Sequence, residues 1–277
     1  STLQISNSKT DGCNMKFKFA TIIFFLGLGL TAQAQIFSDR VQSEKYKVCL
    51  AQVKENSKAA ILSSRKWNIE GGAVAAQHCE ALALYDQKRF SDAGRLFEMI
   101  VGKLARNEGV GIYAQKNKKI LSVQLNYLAG LAWHSDENYD RAYNALSAAI
   151  IGLDVGSEYG YEIFTERGLI HVSSNKYEDA LDDFTKALEL KPEVVDAYLY
   201  RAETFRKLSN HQKARMDLDA ALILDPNQPD ILFESGINYR MLKNDEQALK
   251  EWEKLIIKHP DSNWYKLAQE NIRLIDQ

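Results

Sequence analysis

Helix breakers are scarce: 277 residues hold four prolines and fifteen glycines, too few for the frequent turns of an all-β fold. A dominant charge sign is missing as well. Thirty-five Lys and Arg stand against 37 Asp and Glu, a net charge of -2, so no global field draws the chain to nucleic acid or anionic lipid. Catalytic and cofactor signatures are also lacking. There is no Gly-rich phosphate loop, H-E-x-x-H, C-x-x-C or G-x-S-x-G, each of which sets reactive groups at a fixed spacing. The histidines at 78, 134, 171, 211 and 259 are scattered, and nothing selects a carboxylate pair. The expectation is a protein that is not an enzyme and has no catalytic residues, no metal and no cofactor. What is present is 45% hydrophobic and 26% charged residues, rich in Ala, Leu, Lys and Glu. That suffices for a real core in one large domain or two small ones, built of helices.

One stretch reads as an address. From Met15, Lys16-Phe17-Lys18 precedes a mostly apolar run from Phe19 to Leu30, followed by Thr31-Ala32-Gln33-Ala34. A basic start, an apolar centre and an A-x-A site form the pattern of a cleavable signal peptide. Twelve residues make a helix of about 18 Å, short of a ~30 Å bilayer core. Residues 1–34 are therefore expected to be upstream residues plus a signal peptide (Met15–Ala34). The expected localisation is periplasmic, with secretion as second choice. Two cysteines then remain, Cys49 and Cys79. In an oxidising compartment an even pair favours a disulfide over free buried thiols or a reactive thiol. His78 adjoins Cys79, but helical neighbours point about 100° apart and do not face each other.

The strongest pattern is a repeat. Pro192, Pro226 and Pro260 are spaced by 34, as are Ala180, Ala214 and Ala248, and the small residues Gly168, Ala202 and Gly236. Phe184, Leu218 and Trp252 form a bulky column, and Leu188, Leu222 and Ile256 an aliphatic one. His171 shares a column with Phe205 and Tyr239, which gives it a packing role. Such a period marks a helix-turn-helix unit that buries its apolar face only against its neighbours. These columns resemble the tetratricopeptide repeat (TPR) family. The resemblance implies an all-α fold: a right-handed α-solenoid of stacked helix-turn-helix repeats with a C-terminal capping helix.

Units at 161–194, 195–228 and 229–262 match well. Weaker copies are 123–156, with Gly130, Trp133, Ala142 and Leu146, and 74–107, with Ala81, Leu84, Ala93 and Phe97. Residues 35–73 are expected to be a degenerate N-terminal helical hairpin or cap, with Gly71-Gly72 ending a helix. Residues 263–277 read as the capping helix, with Trp264, Leu267, Ala268 and Ile272 on one face and Lys266, Glu270 and Arg273 on the other. Four residues, 157–160, and fifteen, 108–122, interrupt the period. The longer insertion either extends a helix or forms a flap over the concave face. Its Lys116, Lys118 and Lys119 suit a solvated face better than a nucleic-acid patch. Asp179, Asp182 and Asp183 likewise read as a solvated helix face. The whole chain resembles exported TPR proteins of Gram-negative bacteria.

In this family the first helix of each repeat, helix A, lines a concave groove. Carried over by position, the groove residues are His78, Leu82 and Tyr85, then Tyr127, Leu131 and His134, then Thr165, Leu169 and Val172. Leu199, Glu203, Arg206 and Lys207 follow, then Phe233, Ile237 and Arg240. Family members that hold an acidic C-terminal tail use a Lys and Asn clamp, and here Thr165, Leu169, Leu199 and Glu203 stand instead. The implied surface is an apolar strip with aromatic anchors and a basic end, where Arg206, Lys207 and Arg240 meet acidic groups of a helix or extended peptide. A competing reading packs some of these leucines inside the superhelix. The expected function is an exported scaffold or adaptor for an envelope protein partner, with no nucleic acid and no stable membrane span after signal cleavage. The alternative is a periplasmic binding protein for an apolar small molecule or lipid, which requires 108–122 to close a pocket.

Overall fold

The computed structural model describes residues 40–275, apart from 155, 156 and 158. The segment read as a signal peptide, Met15–Ala34, lies outside the described residues. Every regular element among the described residues is helical, and no helix is long and apolar enough to cross a membrane. The chain divides into two compact units, whose described parts are residues 40–170 and 171–275.

The first unit contains α1 (Arg40–Trp67), a π-helical turn (Asn68–Gly72), α2 (Ala73–Asp86), α3 (Phe90–Arg106), the short α4 (Ile112–Lys116), α5 (Lys118–Ser135), α6 (Tyr139–Gly152) and most of α7 (Gly160–Ser173). Helix α1 is two arms rather than one rod, because Asn56 leaves helical geometry at φ -155 and ψ 83. Its Oδ1 accepts the Ala59 N–H at 3.0 Å, capping the second arm. The arms fold back on each other. Ser63 Oγ donates to Gln52 Oε1 at 2.5 Å, and Trp67 Nε1 donates to Gln42 Oε1 at 2.6 Å. Residues 11 and 25 positions apart would lie about 16 and 37 Å apart along a straight helix. Cys49 and Cys79 join this hairpin to α2 through a disulfide, with Cα atoms 6.3 Å apart. Between them Gly71 takes φ 94, a left-handed conformation that favours glycine, and the chain turns there into α2.

Within residues 108–122, Ile112–Lys116 form the separate helix α4, and only the last five residues belong to α5. Helix α5 begins at Lys118, and Val110, Ala114 and Leu121 are buried. Lys118 Nζ donates to the Ala105 carbonyl at 2.5 Å, while Lys119 pairs with Asp154.

The second unit continues with α8 (Tyr177–Leu190), α9 (Val195–Lys207), α10 (His211–Leu224), α11 (Pro229–Met241), α12 (Asp245–Lys258) and α13 (Trp264–Ile275). Consecutive helices pack pairwise, α9 on α10, α10 on α11, α11 on α12 and α12 on α13. Small residues let the helices approach. A Cβ at Gly236 would overlap the Trp252 indole, whose Nε1 donates to the Phe233 carbonyl at 3.1 Å. Trp252, Leu255 and Ile237 are fully buried, and α13 covers them with Ala268, Leu267 and Ile272. Trp264 stacks on Phe233 at 4.7 Å, while Lys266, Glu270 and Arg273 face solvent.

A common turn joins the two helices of each pair. Lys88, Glu137, Asn175, Ser209 and Lys243 all adopt φ of 57 to 60. The last three are 34 residues apart, and the earlier gaps are 38 and 49, that is 34 plus the four- and fifteen-residue interruptions. At each turn a backbone N–H closes back to a carbonyl five residues earlier, as from Arg89 to Leu84 at 2.9 Å and from Asn210 to Phe205 at 2.8 Å. Asn138, Asn210 and Asn244 then cap the following helix by accepting the N–H three residues on.

Candidate functional site

The groove positions lie on α2, α5 and α7 in the first unit, and on α9 and α11 in the second. The structure buries most of them. His78, Leu82, Tyr85, Tyr127, Leu131, Thr165 and Leu169 are buried in residues 40–170, as are Leu199, Phe233 and Ile237 in residues 171–275. The reason is geometric. Positions three, four and seven apart form one helix face, and the same face that would floor a groove also packs against the next helix.

His78 shows this most clearly. Its Nδ1 shares a 2.5 Å hydrogen bond with the Tyr46 hydroxyl from α1, and its ring lies edge-on to Phe97 of α3. Desolvation pushes its pKa down to about 4, so the imidazole is a neutral core group.

Partly exposed groove residues remain in both units, and apart from Val172 they are polar. In the second unit these are Glu203, Arg206 and Arg240, with Lys207 exposed. The expected basic end is largely engaged within the chain. Arg206 grips both carboxylate oxygens of buried Glu234, and Arg240 Nε lies 3.4 Å from Asp245. Glu203 is pushed up to about 8, first by desolvation and then by the charge on Glu234. Of the three expected cations, Lys207 is the exposed one.

In the first unit, helices α2, α5 and α7 bring together a polar and aromatic group. His134 Nδ1 lies 3.5 Å from Glu166 Oε2, and neither atom makes a hydrogen bond. The Tyr85 hydroxyl meets Ser135 Oγ at 3.2 Å, and the Tyr161 hydroxyl donates to Glu162 Oε1 at 2.7 Å. Tyr127 is held neutral, first by burial and then by the charges on Glu166 and Glu162.

Glu162, Glu166 and Glu234 were not among the sequence candidates. A signal existed: Glu166 and Glu234 are 68 residues apart, two periods of 34, each directly after the groove positions Thr165 and Phe233. Asp183 corrects another expectation. It is buried rather than solvated, with His171 Nε2 3.6 Å from its carboxylate. Among the described residues no group of three His, Cys, Asp or Glu side chains is placed to hold a metal ion.

Comparison with known proteins agrees with this architecture. Residues 165–230 and 230–262 match family models described as tetratricopeptide repeat. The DnaJ homolog subfamily C member 7 homolog of Dictyostelium discoideum is 22% identical over 228 residues, which cover 71% of this chain and 41% of that protein. The chain thus spans less than half of that relative. Pseudomonas aeruginosa pilF superposes with a TM-score of 0.64 at 17% identity, covering 85% of this chain and 97% of its own. YrrB superposes with a TM-score of 0.54 at 18% identity, covering 72% and 91%. Residues 165–262 thus match tetratricopeptide repeats, and the repeated helical pairs with their common left-handed turns give the described residues a tetratricopeptide-repeat fold.

Proposed function

We propose that the chain is an exported scaffold or adaptor that binds a protein partner of the cell envelope along its helix-A faces. The observation that carries the reading is the placement of polar and aromatic side chains on those faces. Glu162, His134 and Tyr161 on one unit, and Glu203 and Lys207 on the other, stay within reach of solvent above a buried apolar layer. An apolar base with adaptable polar groups above it suits a polypeptide. YrrB is described as a TPR protein with an unusual peptide-binding site, which supports the same class of partner. The Cys49–Cys79 disulfide favours an oxidising compartment. Residues 108–122 pack onto their own unit through Val110, Ala114 and Leu121, which weakens the case for a lid over a small apolar ligand.

Site-specific photocrosslinking in the source cells tests this. A crosslinking residue at Lys207 or Glu162 is expected to trap one protein species. The same probe at Ile223, 83% exposed on the second helix of its pair, is expected not to trap it. Equal trapping at all three positions, or at none, rejects the helix-A reading.

A further inference from the structure

We infer that the helix-A face of residues 40–170 receives a basic side chain, Lys or Arg, from its protein partner, seated against Glu166 and His134 and flanked by Tyr127 and Tyr161. This rests on the scaffold reading above and narrows the chemistry of the partner.

Four carboxylates among the described residues are buried: Glu166, Asp183, Asp217 and Glu234. A buried carboxylate is costly unless it is paired and hydrogen-bonded. Asp217 meets both Nε and Nη2 of Arg201 at 2.8 and 2.7 Å, and Glu234 is held by Arg206 in the same two-point manner. Asp183 is faced by His171 at 3.6 Å, as Glu166 is by His134 at 3.5 Å, but no Asp183 oxygen is among the buried atoms without a hydrogen bond. Glu166 is 8% exposed, yet its Oε2 has no hydrogen bond.

The repeat makes the comparison specific. Glu166 corresponds to Glu234, two periods of 34 further on. His134 corresponds to Arg206, at 72 residues, which is two periods plus the four inserted residues 157–160. One position thus carries arginine in the second unit and histidine in the first. The shorter imidazole stops 3.5 Å from Glu166, outside hydrogen-bond contact, and its own Nδ1 is also unbonded. An incoming guanidinium or ammonium supplies the donors that Arg206 supplies to Glu234. The tyrosines add ring faces that attract a cation. Partly exposed Tyr161, Glu162 and His134 give it an entrance.

The test selects a randomised twelve-residue peptide library on the full chain, then measures single peptides carrying Arg, Ala or Glu at the selected position. Arg and Lys are expected to be enriched, with the Arg peptide binding about tenfold or more tightly than its Glu counterpart. Glu166→Gln removes the carboxylate charge, and His134→Arg fills the site from within. Each is expected to lower Arg-peptide affinity about tenfold while leaving the circular dichroism spectrum and melting cooperativity intact. Enrichment of acidic or uncharged peptides, or affinity unchanged in both variants, overturns the inference and leaves the scaffold reading standing. Failure to select any peptide also overturns it, and the crosslinking experiment then decides the scaffold reading separately. Should one variant misfold, the library preference of the native chain and the other variant still decide.

Discussion

Residues 171–275 hold their 34-residue interval without interruption, whereas residues 40–170 contain both insertions and carry the disulfide, the π-helical turn and the folded-back α1. The regular unit is secured by repeated noncovalent contacts, such as Trp252 under Gly236 and the Arg206–Glu234 pair. In the irregular unit some of these are replaced by a covalent link and by deeply buried polar contacts such as Tyr46 with His78. Tandem packing tolerates an inserted segment when other bonds fix the neighbours, because each repeat depends chiefly on the ones beside it.

This contrast predicts effects confined to one unit. The largest is Trp252→Ala, which empties a fully buried site and should cost roughly 3–5 kcal/mol. Segment-resolved hydrogen exchange should place the loss in residues 171–275. Comparable deprotection throughout 40–170 would break the contrast. Next, Cys49→Ser with Cys79→Ser removes a link closing thirty residues and should cost about 3–4 kcal/mol, with faster exchange in 40–170 and little change in 171–275.

Acid and alkali should separate the units further. Unfolded His78 takes up a proton near 6.5, but the folded imidazole resists it down to about 4. Stability of the first unit therefore falls as pH drops from about 6.5 to 4, by roughly 3 kcal/mol. Glu203 has the opposite sense. Folding raises its pKa from 4.5 to about 8, so its contribution is present below the lower value and lost as pH rises through the upper one. Glu203→Gln should recover roughly 1–2 kcal/mol at alkaline pH, the carboxyl being partly open to water. Exchange corrected for intrinsic pH dependence, read in each unit, checks both directions. The smallest effect should be common to both units. Asn138→Ala in the first and Asn244→Ala in the second each remove a helix cap and should each cost about 1 kcal/mol. A marked inequality would show that the shared turn is supported differently in the two units.

Much of the fold was legible because the repeating residues touch one another at a fixed interval. Gly236 and Trp252 sit in separate 34-residue columns, and in the structure they are direct contacts. The left-handed turns were hidden. Lys88, Glu137, Asn175, Ser209 and Lys243 share a backbone conformation but span four side-chain types, since the packed helices impose the turn. The candidate site was half legible. Helix-A positions could be assigned by phase, yet phase does not tell an open floor from an inter-helix contact, and Leu131 and Ile237 proved to be core. Asp183 was read as solvated from its acidic neighbours, but at that point of α8 the helix face turns inward toward His171.

The sequence by itself determined that helices pair, where each pair begins anew and which apolar columns must meet, because those contacts recur between neighbours at a constant spacing. Tertiary structure alone decided how the charged groups are matched. Arg206 reaches Glu234 while His134 stops 3.5 Å short of Glu166. That difference depends on side-chain reach between adjacent helices, a distance of a few ångströms that periodicity does not encode.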